Sequence, residues 1–493
     1  MNNMKKIIKY TWLLALALPV VTGCKKAIEL DPTHNQDGSN FFTKIEDHEL
    51  ALTGTYARLL QDNYYGNGNN GAGPYVGLPD MMSDNLFEGP ESLANYQDFS
   101  RWTFVADDPY IQDIWEDGYR VVQQANITLR GLDNFAASSP GAVNRIKAQA
   151  LALRAMAHFD LLRCFGEDFD RNSNARGIAY VDKFDVEQKP ARLSVKETLD
   201  RIEADFKTAK TLMQSMDKAI QGTGTAGTER SYMDEMVVNG LLARMYLYAN
   251  QPDSAVKYAT LCINARPLTS RTNFPNIWLD ASTAEVIWSV KFESLNAGIG
   301  DLIFYPVSNR ASYRPTTNLL NMYDQANDIR FTSYFRNLLR GVNRNVAPAR
   351  MVLIKYDARQ ANLSKPDGIV NFKALRTGEM YLIRAEAYAR IGGASEALGM
   401  ADLNTLRSAR ITGYTSEILT GATLLQAIAD ERRKELVAEG HRFFDLKRTT
   451  RSLTRVTNCV NFCSLPPGAR EWVMPLPQSE ILANPNAEQS NGY

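Results

Sequence analysis

Histidine is scarce in this chain of 493 residues, and the four present, His34, His48, His158 and His441, stand singly, without the HxxxH or HExxH spacing that holds a metal. A histidine-based metal site is therefore not expected. Cysteine is nearly as rare, at five. Cys164 and Cys262 lie inside apolar helical stretches, where a buried free thiol is the default. Cys459 and Cys463 sit four apart in a loop, which leaves a local disulfide or two free thiols open. A single CxxxC with no second pair carries no metal signal. Neither sign of charge prevails: 55 Lys and Arg balance 55 Asp and Glu, so no global field recruits nucleic acid or an anionic membrane. Nucleophile motifs such as GxSxG are missing. Beyond the first residues no segment is apolar enough to span a bilayer, which takes about 20 residues.

What is present begins at the N-terminus. Lys5, Lys6 and Lys9 precede an apolar run from Trp12 to Val21, the order of an export signal and too short for a spanning helix. The run closes on Val21-Thr22-Gly23-Cys24, which resembles a bacterial lipobox. The expected organisation is a signal peptide over 1–23, a lipid-anchored tether over 24–40 with acyl chains such as palmitate on Cys24, and a body over 41–493. Several acyl chains give stable attachment, since two hydrophobic signals suffice.

Residues 428–448, IADERRKELVAEGHRFFDLKR, crowd charges and a histidine onto one amphipathic helix and its exit. At about 100° per residue, Leu425, Ile428, Ala429 and Leu436 share an apolar arc with Arg432 in its middle and Glu435 and Glu439 on its edge. A desolvated guanidinium needs carboxylates or carbonyls. Glu435 and Glu439 are the nearest acids, so the expectation is a buried structural ion network of Arg432, Glu435 and Glu439. Gly440 reads as a helix stop, which puts His441 in the exit loop.

Ala243, Tyr246, Ala255 and Ala259 recur as Ala385, Tyr388, Ala397 and Ala401, with the same steps. The spacing is that of a helix hairpin with small residues at the close approach, as in tetratricopeptide repeats. Further helices are expected over 114–132, 143–165 and 193–213, the second with Arg154 and His158 as a satisfied core pair. The expected fold is mainly α: an irregular tetratricopeptide-like scaffold of about four helical pairs, with a few short β-strands such as 285–292 and 349–356. Between them lie insertions at 64–79, 84–108 and 297–315, rich in Gly, Asn and aromatics and longer than ordinary connectors.

In order, the lipobox, EDHELALTGTYARLL, Ser83-Asp84-Asn85, WEDGYRVVQQANITL, AQALALRAMAHFDLLRCFG, Asp328-Ile329-Arg330, MYLIRAEAYAR, EGHRFFDLKR and the ending MPLPQSEILANPNAEQSNGY resemble the SusD/RagB outer-membrane lipoproteins of Bacteroidetes. The resemblance covers nearly the whole chain, with an N-terminal part over about 41–230 and a C-terminal part over about 231–493. It implies a non-catalytic, cofactor-free protein that captures an oligosaccharide and passes it to a SusC-like TonB-dependent transporter, acting as its lid. The RagB type would hold a peptide instead. It also implies a place on the outer membrane facing the exterior, although Lys25 and Lys26 stand where the family's acidic export signal usually begins.

Sugars are held by stacked aromatic rings with polar side chains on their hydroxyls. Elimination of tryptophans in framework pieces leaves Trp102, Tyr75, Tyr305 and Tyr313 as candidate rings, with Asn85, Asn309 and Arg314 as polar neighbours. Two other classes stay open at this stage. A displayed hydrolase needs two carboxylates about 5–9.5 Å apart, for which Asp107 and Asp108 are one pair. A periplasmic scaffold would use the repeats to hold proteins.

Overall fold

The computed structural model describes residues 41–61, 63–66, 73–90, 92–214, 230–293, 311–338, 350–359, 368–459 and 461–493. The signal segment, Cys24, the tether, Tyr305 and Asn309 lie outside the described residues. The principal helices are α1 (Ile45–Arg58), α2 (Pro109–Leu129), α3 (Pro140–Phe165), α4 (Val195–Gln214), α5 (Glu235–Tyr248), α6 (Pro252–Ala265), α7 (Thr377–Ile391), α8 (Ser395–Arg410), α9 (Gly421–Glu435) and α10 (Arg442–Arg448). Their starts follow local chemistry. Asp108 caps α2 by accepting from the Tyr110 N–H, with Pro109 in the first turn, which starts the helix five residues earlier than the apolar period alone suggests. Ser194 and Glu197 exchange bonds across the start of α4 as a capping box, and Asp234 caps α5 through the Val237 N–H.

Neighbours in this series pack in succession: α2 on α3, α3 on α4, α4 on α5, α5 on α6, and α6 on α7, which also takes α8 and α9. This is the expected scaffold of helical pairs. Leu382, Ala385 and Ala389 of α7, Met400, Leu403 and Leu406 of α8 and Leu424 and Ile428 of α9 form one buried cluster. Each fully buried Leu is worth about 1.5–3 kcal/mol. The repeat holds for Ala243, Ala255, Ala259 and Ala385, all buried, and corrects one detail. Ala397 and Ala401 are exposed, and the close approach falls to Gly399, where a Cβ would lie 2.7 Å from the Ala385 carbonyl oxygen. On that same face Asp402 takes both ends of the Arg384 fork at 2.8 and 2.7 Å.

The strands are short and pair in twos, all antiparallel: β1 (Leu86–Glu88) with β3 (Tyr313–Pro315), β2 (Val286–Val290) with β6 (Phe372–Arg376), β4 (Phe335–Leu338) with β5 (Arg350–Leu353), and β7 (Leu453–Thr454) with β8 (Ser464–Leu465). Within α3, Arg154 grips Asp205 at 2.7 and 2.9 Å. His158 donates Nδ1–H to the Arg154 carbonyl at 2.9 Å and accepts the Val181 N–H on Nε2 at 3.0 Å, the satisfied core pair expected. Cys164 and Cys262 are buried free thiols, and Cys459 and Cys463 form a disulfide. Among the described residues no helix is long and apolar enough to cross a membrane.

Candidate ligand-binding site

The charged stretch at 428–448 supports this site from below. α9 ends at Glu435, and the chain turns through Gly440, whose φ of +81° and approach to the Tyr75 carbonyl leave no room for a side chain. It then restarts as α10, so most of the expected exit loop is helix. Glu435 accepts from Arg330 at 3.0 Å, Arg376 at 2.9 Å and Arg410 at 2.9 Å, all buried. Glu439 takes Arg376 at 2.9 and 2.7 Å and pairs with Lys355. Arg432 is buried as expected, but its partner is different: Nε and Nη2 donate to Asp445 of α10 at 3.2 and 3.1 Å. Because α9 stops at Glu435, Glu439 is off the helical face, and Glu435 is drawn to arginines from α8 and β6. There are thus two ion clusters where a single one is expected. His441 is held neutral by burial and by the nearby charge of Arg244 and Arg432, and lies 3.9 Å from Glu379.

Arg433 and Arg442 leave these clusters and clamp the Ser83-Asp84-Asn85 turn. Arg433 donates to Asn85 Oδ1, the Asp84 carbonyl and Asn318 Oδ1, each at 2.7 Å. Arg442 binds the Asp84 carboxylate at 2.8 and 3.0 Å. Burial would raise the Asp84 pKa, but these two guanidinium groups outweigh it and hold the carboxyl below its ordinary range. Burial pushes Arg433 down to about 10 and Asp80, which accepts from Asn85, up to about 7. The clamped turn launches β1, and the Asn85 carbonyl takes the Thr316 N–H at 2.9 Å, which fixes β3 alongside.

Four of the sequence candidates converge here. Asn85, Trp102, Tyr313 and Arg314 all lie around the β1–β3 ladder, whereas Tyr75 lies in a separate buried cluster, 4.8 Å from the Tyr64 ring. Their exposure differs from what stacking requires. Trp102 is 6% exposed; its Nε1–H donates to the Met82 carbonyl, and the Arg455 guanidinium lies 4.0 Å from its ring. Tyr313 is 1% exposed and donates to the Asn95 carbonyl at 2.7 Å. Asn85 is fully buried and Arg314 half-buried. As placed, these rings pack beneath a surface. Asp108, one of the two acids considered, accepts the Tyr110 N–H on Oδ1 at 2.8 Å as the cap of α2.

The surface above them is built from two loops that Arg455 ties together. Its guanidinium donates to the carbonyls of Ser83 at 2.9 Å, Ser100 at 2.6 Å and Phe462 at 3.3 Å. The second loop is a β7–β8 hairpin closed by the Cys459–Cys463 disulfide, with the Arg455 N–H on the Cys463 carbonyl at 2.7 Å. It exposes Phe462 at 49% and Val456 at 75%, and the first loop exposes Leu93 at 47%. Ten described non-glycine residues have positive φ, and five of them, Ala94, Tyr96, Trp102, Asn458 and Phe462, lie in these two loops. Such conformations cost about 1–3 kcal/mol each and cluster at binding sites. Asn458 Oδ1 accepts the Thr317 N–H and Thr457 the Asn318 N–H, which docks the hairpin on the residues after β3. Phe462 escapes the sequence reading, which weighs Cys459 and Cys463 only as a disulfide, free thiols or a metal signal; the aromatic between them is the available signal.

A family model described as the SusD family matches residues 340–493, and one described as starch-binding associating with outer membrane matches residues 61–225. SusD-like protein P38 of Formosa agariphila is 22% identical over 99% of both chains. A SusD superfamily protein from Bacteroides thetaiotaomicron superposes with a TM-score of 0.77 at 23% identity, covering 91% of this chain and 99% of that one. A SusD-like carbohydrate binding protein from Bacteroides vulgatus superposes with a TM-score of 0.74 at 21% identity, covering 90% and 98%.

Proposed function

This chain belongs to the SusD family, and we propose that it captures an oligosaccharide at the outer membrane, without catalysis, and delivers it to a SusC-like TonB-dependent transporter for which it is the lid. In this reading Cys24 carries the lipid anchor, and the body faces the exterior. The description of the matching N-terminal family, starch-binding and associated with the outer membrane, supports both the ligand class and the location. The carbohydrate-binding description of a relative with the same fold supports the ligand class.

The observation that carries the reading is the pair of loops at 92–102 and 455–463. They present an exposed phenyl ring on a strained, disulfide-closed turn over Arg433, Arg442 and Arg455, whose guanidinium groups are engaged by Asp84, Asn85 and backbone carbonyls. A ring held rigid before binding loses little entropy on stacking against a pyranose face. Phe462→Ala is expected to weaken oligosaccharide binding by about 1–2 kcal/mol, in the range of aromatic contacts. Calorimetry against a panel of neutral oligosaccharides measures it. Equal affinity in the variant would remove Phe462 from the site, and co-purification without a TonB-dependent barrel would count against the lid.

A further inference from the structure

Residues of α7, α9, α10 and 449–451 line an open cleft of about 360 Å³. Five guanidinium groups line it, those of Arg390, Arg432, Arg442, Arg448 and Arg451, against two carboxylates, Glu386 and Asp445. The pairing inside the cleft leaves charge over. Asp445 serves Arg432 at 3.2 and 3.1 Å and Arg448 at 2.8 Å. Glu386 serves Arg448 at 2.6 and 2.7 Å and Arg390 at 3.0 Å. Arg442 is answered by Asp84, outside the lining. Asp84 also answers Arg433 at 3.2 Å, and Asp430 bears on both Arg433 and Arg442, so four acids meet six arginines, a surplus of two positive charges. Arg451 donates to a neutral amide, Gln426 Oε1, at 2.9 Å.

A second observation is independent of this count. Arg432 is 2% exposed, and among the described residues its Nη1 has no hydrogen-bond partner. A buried charged donor is costly to leave unmatched, and with surplus cations around it a negatively charged acceptor fits best. Guanidinium forks match carboxylate, sulfate and phosphate oxygens in pairs. Leu425, Ala429 and Leu446 supply an apolar wall, so the volume suits an anionic group on a body no larger than a sugar ring. Thr450, a β-branched residue at φ +51°, turns the chain after α10 so that Arg451 returns over the cleft.

We propose that this cleft is an oxyanion-binding site, separate from the Phe462 surface, that takes a sulfate, phosphate or carboxylate group. The group is either a free inorganic ion or the anionic substituent of a sugar. The proposal does not depend on oligosaccharide capture at the loops, since it rests on other residues.

Calorimetric titration of the full chain with sodium sulfate, sodium phosphate, glucuronate and glucose 6-sulfate tests it, with sodium chloride at matched ionic strength as the blank. At least one anion is expected to bind saturably at a single site. The double variant Arg390→Gln/Arg451→Gln should weaken that binding at least about tenfold, through loss of two charge-assisted contacts. These two residues lie at the rim, while Arg432 and Arg448 hold α7, α9 and α10 together. The thermal midpoint of the anion-free double variant is expected to match the parent, so lost binding is not lost folding. Saturation by inorganic ions alone assigns the site to a free ion, and about tenfold tighter binding of either sugar assigns it to a substituent. Heats no larger than chloride for all four, or equal affinity in the double variant, would overturn the proposal. Phe462→Ala should bind the anion normally, which separates failure here from failure of the capture surface.

Discussion

Glu435 is one carboxylate answering three guanidinium groups from Arg330, Arg376 and Arg410, all of them out of contact with water. Desolvating four charges is repaid only while every partner is present. Glu435→Gln keeps the shape and removes the charge, so it should cost about 3–5 kcal/mol, the range for breaking a buried pair. Arg432→Gln, which leaves Asp445 its second partner Arg448, should cost less. Denaturant midpoints of the two variants measure the order, and the reverse order would show that the Glu435 cluster is not the keystone. The helical phase of 428–436 made the burial of Arg432 legible in the sequence. Its partners were not, because Asp445 lies beyond a helix break and the arginines of Glu435 come from β6, α8 and the short helix at Ile329–Tyr334. The same limit governed the site. Composition directed attention to Asn85, Trp102, Tyr313 and Arg314, which do gather in one place. Which way a ring faces depended on partners far off in the chain or in the backbone: the Trp102 indole N–H donates to the Met82 carbonyl with Arg455, more than 350 positions away, 4.0 Å from its ring, and the Tyr313 hydroxyl donates to the Asn95 carbonyl.

The element that most separates surface from scaffold is the β7–β8 hairpin. Its two-residue strands cannot hold a loop by ladder bonds alone, and the Cys459–Cys463 bridge closes it over a sequence separation of 4. In the chain-entropy picture a ring this small is worth about 2 kcal/mol. Phe462 keeps a left-handed backbone that a free loop would abandon. Cys459→Ser/Cys463→Ser should therefore lower the thermal midpoint only slightly and weaken oligosaccharide binding by about 1 kcal/mol, through the cost of reordering the loop. Calorimetry and thermal denaturation on the same sample separate the two effects; unchanged affinity would show that the bridge does not organise the site. The helical elements, by contrast, were readable from period and capping residues. α10 was the exception, since Gly440 looked terminal although a new helix begins two residues later. Ala397 and Ala401 misled for a related reason: spacing alone does not say which face of α8 meets α7.

Across the whole molecule the 55 cations and 55 anions cancel, and much of that charge is spent internally, so stability must respond to pH. His158 sets one limb. Burial and the neighbouring Arg154 push its pKa down to about 3 from 6.5, and its tautomer is fixed because Nδ1 donates while Nε2 accepts an N–H. Protonating Nε2 would set two donors face to face. His441 is likewise held well below its ordinary value. A folded pKa below the unfolded one means that the unfolded chain takes the proton first, so this stability is complete above pH 6.5 and is lost as pH falls below it. Each histidine contributes a slope of about 1.4 kcal/mol per pH unit. The buried carboxylates form the second limb. Burial alone would raise Glu386 and Glu431, but Arg448 and Arg330 respectively hold them far below their usual range, so their contribution persists down to about pH 4.5 and is lost below that. Unfolding free energy should therefore decline in two stages, gently from pH 6.5 and steeply below 4.5. Asp80, raised to about 7, titrates in the opposite sense over the same range and offsets one histidine, so the net slope between pH 5 and 6 is about that of a single histidine, and in His158→Gln it should fall to near zero. Denaturant titrations at half-unit pH intervals resolve the two stages, and an unchanged slope in the variant would mean that His158 is not held neutral by its two backbone partners.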